Sequence, residues 1–363
     1  NPFQQNARTA AAFFVADSEE RSELLLEALP AVGGEDVSEL TDDELAELAD
    51  ERTAQQEREE MRYVMIDDAM AAGKFPAMAT WAGSDYESYL DQREIEIDDG
   101  GTATVRGLGE GYEETTLSRL YYDDAAGMEN YRLVHESPET TQFVSVAVQG
   151  GDGEWMTLAT NREFSFELQF YLQCLIEDPT LDVETVQLFD EREASGVKTY
   201  ERVEGATLAG EAEPGETVTA QLELTAASSE RTFTYTQETA ASEDGSYELT
   251  VPYATSEDLG TEDGYTDSDV IAEGDYEIRA GGETATAAVS EEAIYDGETV
   301  SVDTVLEGGG EETEGDGDGA ESEEDETEGD EVDDADGADG TDEVAGGESG
   351  DENEDDAGAD SAA

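Results

Sequence analysis

Between residues 7 and 74, apolar positions recur three and four apart among acids, which is the period of an amphipathic helix. Ser18 opens an acidic, leucine-rich stretch that stops at Pro30, and Leu40, Leu45 and Leu48 mark a second helix beginning near Thr41. From about 80 to 200 the pattern mixes. Strands are expected at Glu94–Ile97, Thr102–Val105 and Gln142–Val148, and helical turns at Thr116–Tyr122 and Ser165–Leu175. From about 201 apolar and polar residues alternate in seven short segments, the first at Ala206–Gly210 and the last at Glu298–Leu306, punctuated by Pro-Gly, Asp-Gly and Gly-Gly. That spacing predicts a β-sandwich. After Leu306 the chain is mostly Gly, Asp and Glu without an aromatic residue, too charged to fold. The expected fold class is α+β: a mainly helical central domain with β insertions over 1–200, a β-sandwich domain over 201–307 and a disordered acidic tail over 308–363.

Within Met61–Trp81, Asp67, Met70, Lys74 and Met78 lie at offsets of three, seven and eleven. At about 100° per helical residue these offsets return close to one direction, so an acid, two thioethers and a cation share a stripe. A carboxylate N-terminal to Lys74 on that stripe can hold its ammonium. Gly73 and Pro76 flank the lysine, and a proline there removes a backbone donor and clashes one turn back, so the helix is expected to kink or end near Lys74. A kink presents backbone carbonyls and a charged tip to a ligand. An ordinary surface ion pair on a partly buried helix satisfies the same spacing.

This run resembles the short DK motif of the archaeal oligosaccharyltransferase catalytic subunit (AglB type): an acid, methionine at plus three, lysine at plus seven, methionine or isoleucine at plus eleven. Asn1–Arg8, Tyr131–Ser137 and Gly196–Glu211 resemble the same family, in the family's order, over most of residues 1–211. The resemblance implies that Lys74 is a polar contact and Met78 an apolar wall for the Ser or Thr of an Asn-x-Ser/Thr sequon, with Asp67 and Met70 supporting the helix. It also implies a glycosyltransferase that moves an oligosaccharide from a dolichyl-phosphate-type lipid to asparagine, with a divalent metal, Mn or Mg. The family's Trp-Trp-Asp-Tyr-Gly pentapeptide and its catalytic and metal-binding acids are not in this sequence. No catalytic residue and no metal ligand is therefore assigned here, and the chain alone is expected to be inactive. The implied place is the cell membrane, with this globular part on the extracytoplasmic face and the membrane region N-terminal to it.

Charge narrows the alternatives. The chain carries 98 acids and 16 bases, a formal charge of −82. Residues 308–363 hold 26 of the acids and no base, so the first 307 residues still carry 72 acids against all 16 bases. A body so charged repels itself in dilute buffer, whereas at molar salt the Debye length is about 3 Å and the repulsion is screened. Acid spread along the whole chain reads as adaptation to saline surroundings. Direct nucleic-acid binding is disfavoured, because it depends on basic side chains. Fourteen of the bases are arginine, and Lys74 and Lys198 are the only lysines.

The remaining chemistry is sparse. One cysteine, Cys174, excludes an intramolecular disulfide framework and is expected to be a small core residue. His135, next to Glu136 and Ser137, is expected to be structural, since a Ser-His-acid triad needs spatial assembly that sequence neighbours do not give. The glycines of Gly107–Gly111 mimic a phosphate loop, but Glu110, Glu113 and Glu114 would repel phosphate. No run approaches 18 apolar residues. The sequence begins without methionine or a leader and is expected to be cut from a longer polypeptide. Beside the glycosyltransferase reading stand a non-enzymatic halophilic surface or adhesion protein, which gives Lys74 no role, and a hydrolase resting on one histidine.

Overall fold

The computed structural model describes residues 2–28, 37, 40–50, 61–97, 100–256 and 265–302, all within one unit, Asn1–Gly309. The acidic tail expected over 308–363, and the ends of the first two expected helices, lie outside the described residues. Three helices lead: α1 (Pro2–Val15), α2 (Glu19–Ala28) and α3 (Asp42–Asp50). The Ser18 hydroxyl accepts the Arg21 N–H at the start of α2. Thr41 and Glu44 exchange side-chain and backbone hydrogen bonds at the start of α3, which satisfies first-turn donors.

The next elements are β1 (Tyr63–Asp67), α4 (Asp68–Ala71), α5 (Phe75–Trp81), β2 (Leu90–Glu96), β3 (Thr102–Leu108), α6 (Glu110–Glu113) and α7 (Thr116–Tyr121). They are followed by β4 (Tyr131–Glu136), β5 (Thr140–Gly150), β6 (Trp155–Glu163), α8 (Phe166–Glu177), β7 (Val183–Ser195) and β8 (Val197–Arg202). The mainly helical character expected for 1–200 is corrected by these eight strands. β1 illustrates the reason: in Tyr63-Val-Met-Ile-Asp67, Val64 and Ile66 are buried while Tyr63 and Met65 are exposed, which is the two-residue period of a strand. Three sheets result, in the orders β1-β8-β4, β6-β5-β7 and β2-β3.

The chain then forms β9 (Ala206–Glu211), β10 (Thr217–Ala226), β11 (Arg231–Ala240), β12 (Ser246–Val251), β13 (Val270–Ala272), β14 (Tyr276–Ala280), β15 (Glu283–Ala287), α9 (Glu291–Asp296) and β16 (Thr299–Ser301). One sheet runs β11-β10-β14-β15 with β13 also on β10, and another runs β12-β9-β16. Alternate residues of β10 (Val218, Ala220, Leu222, Leu224) and Leu208, Leu249 and Val251 enter the same core as Phe13, Phe75 and Leu117.

Charged side chains tie the sheet of β1, β8 and β4 to the later strands. Arg132 on β4 reaches the buried Glu201 on β8 at 2.7 Å and Glu291 on α9 at 2.6 Å. Arg231 on β11 reaches Asp124 at 2.7 Å and the buried Glu136 at 2.6 Å. In a chain with so few bases, these buried carboxylates are paired, as desolvation demands.

Candidate functional site

Asp67 is the last residue of β1, paired across from Val197 on β8, and the Asp68 N–H donates to the Gly196 carbonyl at 2.9 Å. Its Oδ1 accepts the Met70 N–H at 2.7 Å, so Asp67 is the N-cap of α4 rather than a helical residue. The helix then breaks. The Lys74 N–H bonds five residues back to the Ala69 carbonyl at 2.8 Å, a widened turn, and α5 restarts with Pro76 in its first turn, where a missing N–H costs nothing. The interruption expected near Lys74 is present.

The break survives because its freed groups find partners. The Ala71 carbonyl, with no helical donor to receive, accepts the Tyr112 hydroxyl at 2.8 Å and the Asn161 side-chain amide at 2.5 Å. Burial raises the Tyr112 phenol well above its ordinary value, so it stays a donor. Phe75, the first residue of α5, meets the edges of Tyr112 and Tyr89 at ring separations of 4.7 and 5.0 Å. Strand end, broken helix and aromatic floor therefore fix the turn that carries Lys74.

Of the four stripe residues, the structure brings Asp67 and Lys74 together: Nζ lies 3.0 Å from Oδ2 and 3.3 Å from Oδ1. The two side chains are 42% and 55% exposed, so the pair contributes little to stability, roughly 0–1 kcal/mol. Met70 packs partly buried on the core. Met78 is only 6% exposed and turns from α5 into the core, so it does not share the open face of Lys74. The single-stripe geometry fails because the strand and the break shift the register. Tyr112 and Asn161 hold the turn yet are distant in sequence, and no local pattern marks them.

The other candidates resolve plainly. Lys198 is buried and bonds Asp124 at 2.6 Å and the Tyr121 carbonyl at 2.8 Å. His135 pairs with Asp269, and the Ser137 hydroxyl turns to the backbone of Glu139 instead of to the imidazole. Cys174 is exposed on α8, which corrects the core placement. Gly109 faces the Asp91 carboxylate so closely that a Cβ would lie 1.9 Å from it, and a phosphate would meet that acid. Among the described residues there is no group of three or more His, Cys, Asp or Glu side chains placed to hold a metal, and no helix long and apolar enough to cross a membrane.

Comparison with known proteins agrees with the sequence resemblance. Residues 205–300 match the family model of the archaeal glycosylation protein B long peripheral domain. The chain is 25% identical to the dolichyl-monophosphooligosaccharide–protein glycotransferase AglB of Haloferax volcanii, over 86% of this chain and 32% of that protein. The fold matches the oligosaccharyltransferase AglB of Archaeoglobus fulgidus in complex with an inhibitory peptide and a dolichol-phosphate (TM-score 0.52, 18% identity, 81% of this chain and 33% of that one). It also matches an Archaeoglobus fulgidus oligosaccharyltransferase tethered to an acceptor peptide containing an NVT sequon (TM-score 0.50, 18% identity, 80% and 33%). The chain thus spans about a third of the length of these relatives.

Proposed function

We propose, from the premise that this chain is similar to archaeal AglB glycotransferases over about a third of their length, that it is the globular part of an oligosaccharyltransferase and helps to recognise the sequon Ser or Thr. The observation that carries the reading is Lys74: an exposed ammonium, steered by Asp67, at a helix break built by Tyr112 and Asn161. Its ion pair is too exposed to be needed for the fold, which leaves the ammonium free to donate to a hydroxyl. In this reading Lys74 contacts the hydroxyl, Met78 shapes the pocket from the buried face of α5, and Asp67 and Met70 hold the turn. Residues 1–200 carry that turn in this reading, and the described strands that follow, which share a core with it, brace it.

The same reading places the lipid-linked oligosaccharide, of dolichyl-phosphate type, and the divalent metal on parts of the enzyme beyond this chain. A relative described with zinc and sulfate supports a metal in the family, although the described residues offer no ligand set for one. In this reading the acceptor-binding part lies on the extracytoplasmic face of a cell membrane. A surface or adhesion protein would account for the later sheets but gives Lys74 nothing to do.

The test is glycosylation of Asn-x-Thr peptides by membranes carrying the intact enzyme, with each variant at equal abundance. Arg279→Ala is the matched control, because the Arg279–Glu277 pair has the same exposures, 55% and 42%. At subsaturating peptide, Lys74→Ala should be about tenfold to a hundredfold slower, the loss of one hydrogen bond to a charged group. Equal rates for Lys74→Ala and Arg279→Ala would sink the proposal. Met78 is best probed by Met78→Leu, which keeps its volume, since truncation at a buried site costs about 2–5 kcal/mol.

A further inference from the structure

Beside the α4–α5 turn lies an open groove of about 540 Å³, lined by Ala72 and Gly73 of the turn, Leu158 and Arg162 of β6, and Leu168 and Tyr171 of α8. That volume falls in the usual range of ligand pockets, about 300–1,000 Å³. Arg162 is its unusual member. Among the described residues every other arginine and lysine has an interaction partner, in a chain with 98 acids to choose from, but the side chain of Arg162 makes no hydrogen bond or ion pair. Its guanidinium rests against the turn, where a Cβ added to Gly73 would lie 3.4 Å from Nη1. Five unspent N–H donors therefore face a groove that begins one residue from Lys74.

We propose that this groove binds the acceptor polypeptide on the C-terminal side of the sequon Ser or Thr, with Arg162 donating to a main-chain carbonyl and Leu168 and Tyr171 seating an apolar side chain. The inference rests on the reading of Lys74 given above. The direction follows from the family resemblance, which implies that the acids acting on the acceptor asparagine lie outside this chain, so the residues running away from it past the hydroxy residue are the ones that stay here. An extended chain advances about 3.3–3.6 Å per residue, so a groove adjoining the turn is reached within a few residues. Asp68, Glu163 and Glu167 also line the groove and outnumber Arg162, so an uncharged segment with carbonyl acceptors suits it better than an acidic one.

The experiment compares two peptides in membranes carrying the intact enzyme: one amidated directly after the Thr of Asn-x-Thr, and one extended by Ser-Leu-Tyr-Ala. For the unaltered enzyme the extension should lower KM about threefold to tenfold. Arg162→Ala should reduce that gain to less than about twofold, and Arg162→Lys should restore part of it. The gain is a ratio of KM values within one variant, so a partial loss of folded enzyme does not imitate it. A gain unchanged in Arg162→Ala, or no gain in the unaltered enzyme, overturns the groove. Lys74→Ala is read on the short peptide alone. If it impairs that peptide while Arg162→Ala keeps the gain, the groove fails and the hydroxyl reading stands. If Lys74→Ala is silent while Arg162→Ala abolishes the gain, the groove holds and the hydroxyl contact fails.

Discussion

Lys74 and Lys198, the two lysines of the chain, sit in opposite environments and should respond oppositely to the same change. Lys198 is buried against Asp124, the Tyr121 carbonyl and the Tyr121 ring, 5.8 Å from its centroid. Lys198→Ala leaves Asp124 with Arg231 alone and orphans a carbonyl, so it should cost about 3 kcal/mol and lower the melting temperature by several degrees. Lys74→Ala should move that temperature by no more than about 2 °C, and thermal unfolding of both variants checks the contrast. The pairing of Lys74 with Asp67 was legible from a spacing of seven residues. The support under it was not, because Tyr112 and Asn161 reach Ala71 across 41 and 90 positions and no local pattern encodes such a meeting.

At the scale of elements, the strands after 206 followed the alternation of the sequence closely; β10 occupies Thr217–Ala226 with every second side chain buried. The first two hundred residues were harder to read. Tyr63–Asp67 and Tyr131–Glu136 are too short for alternation to outvote the helical pattern around them, and they become strands by pairing with β8 on either side. That sheet is tied to α9 through Glu201. Burial pushes the Glu201 carboxyl up, but the Arg132 charge and hydrogen bonds from Thr266, Tyr295 and Arg132 outweigh it and leave the group below its ordinary value of 4.5. Its contribution is present above about pH 4.5 and is lost as pH falls through the depressed folded value. Glu201→Gln should therefore melt well below the unaltered protein at pH 7, and the gap should narrow as the pH falls below about 4.5. A gap independent of pH would mean that the charge of Glu201 does not stabilise the sheet.

For the whole molecule, the charge sets the conditions under which any of this can be measured. A net −56 on the first 307 residues is held by a core shared between the early helices and the later sheets, and molar salt reduces the self-repulsion that opposes it. Activity therefore belongs at molar salt, where loss of turnover reports on the site and not on the fold. If the α4–α5 turn touches the acceptor beside its hydroxy residue, that contact can be read directly. An Asn-x-Thr peptide with a photoreactive diazirine on the x residue, irradiated with membranes carrying the intact enzyme and mapped by mass spectrometry, should label residues between Asp67 and Trp81. An excess of unlabelled Asn-x-Thr peptide should suppress the label, and the same peptide with Val in place of Thr should not. Labelling confined to other segments, or labelling of the turn that the Val peptide suppresses equally well, would contradict the account.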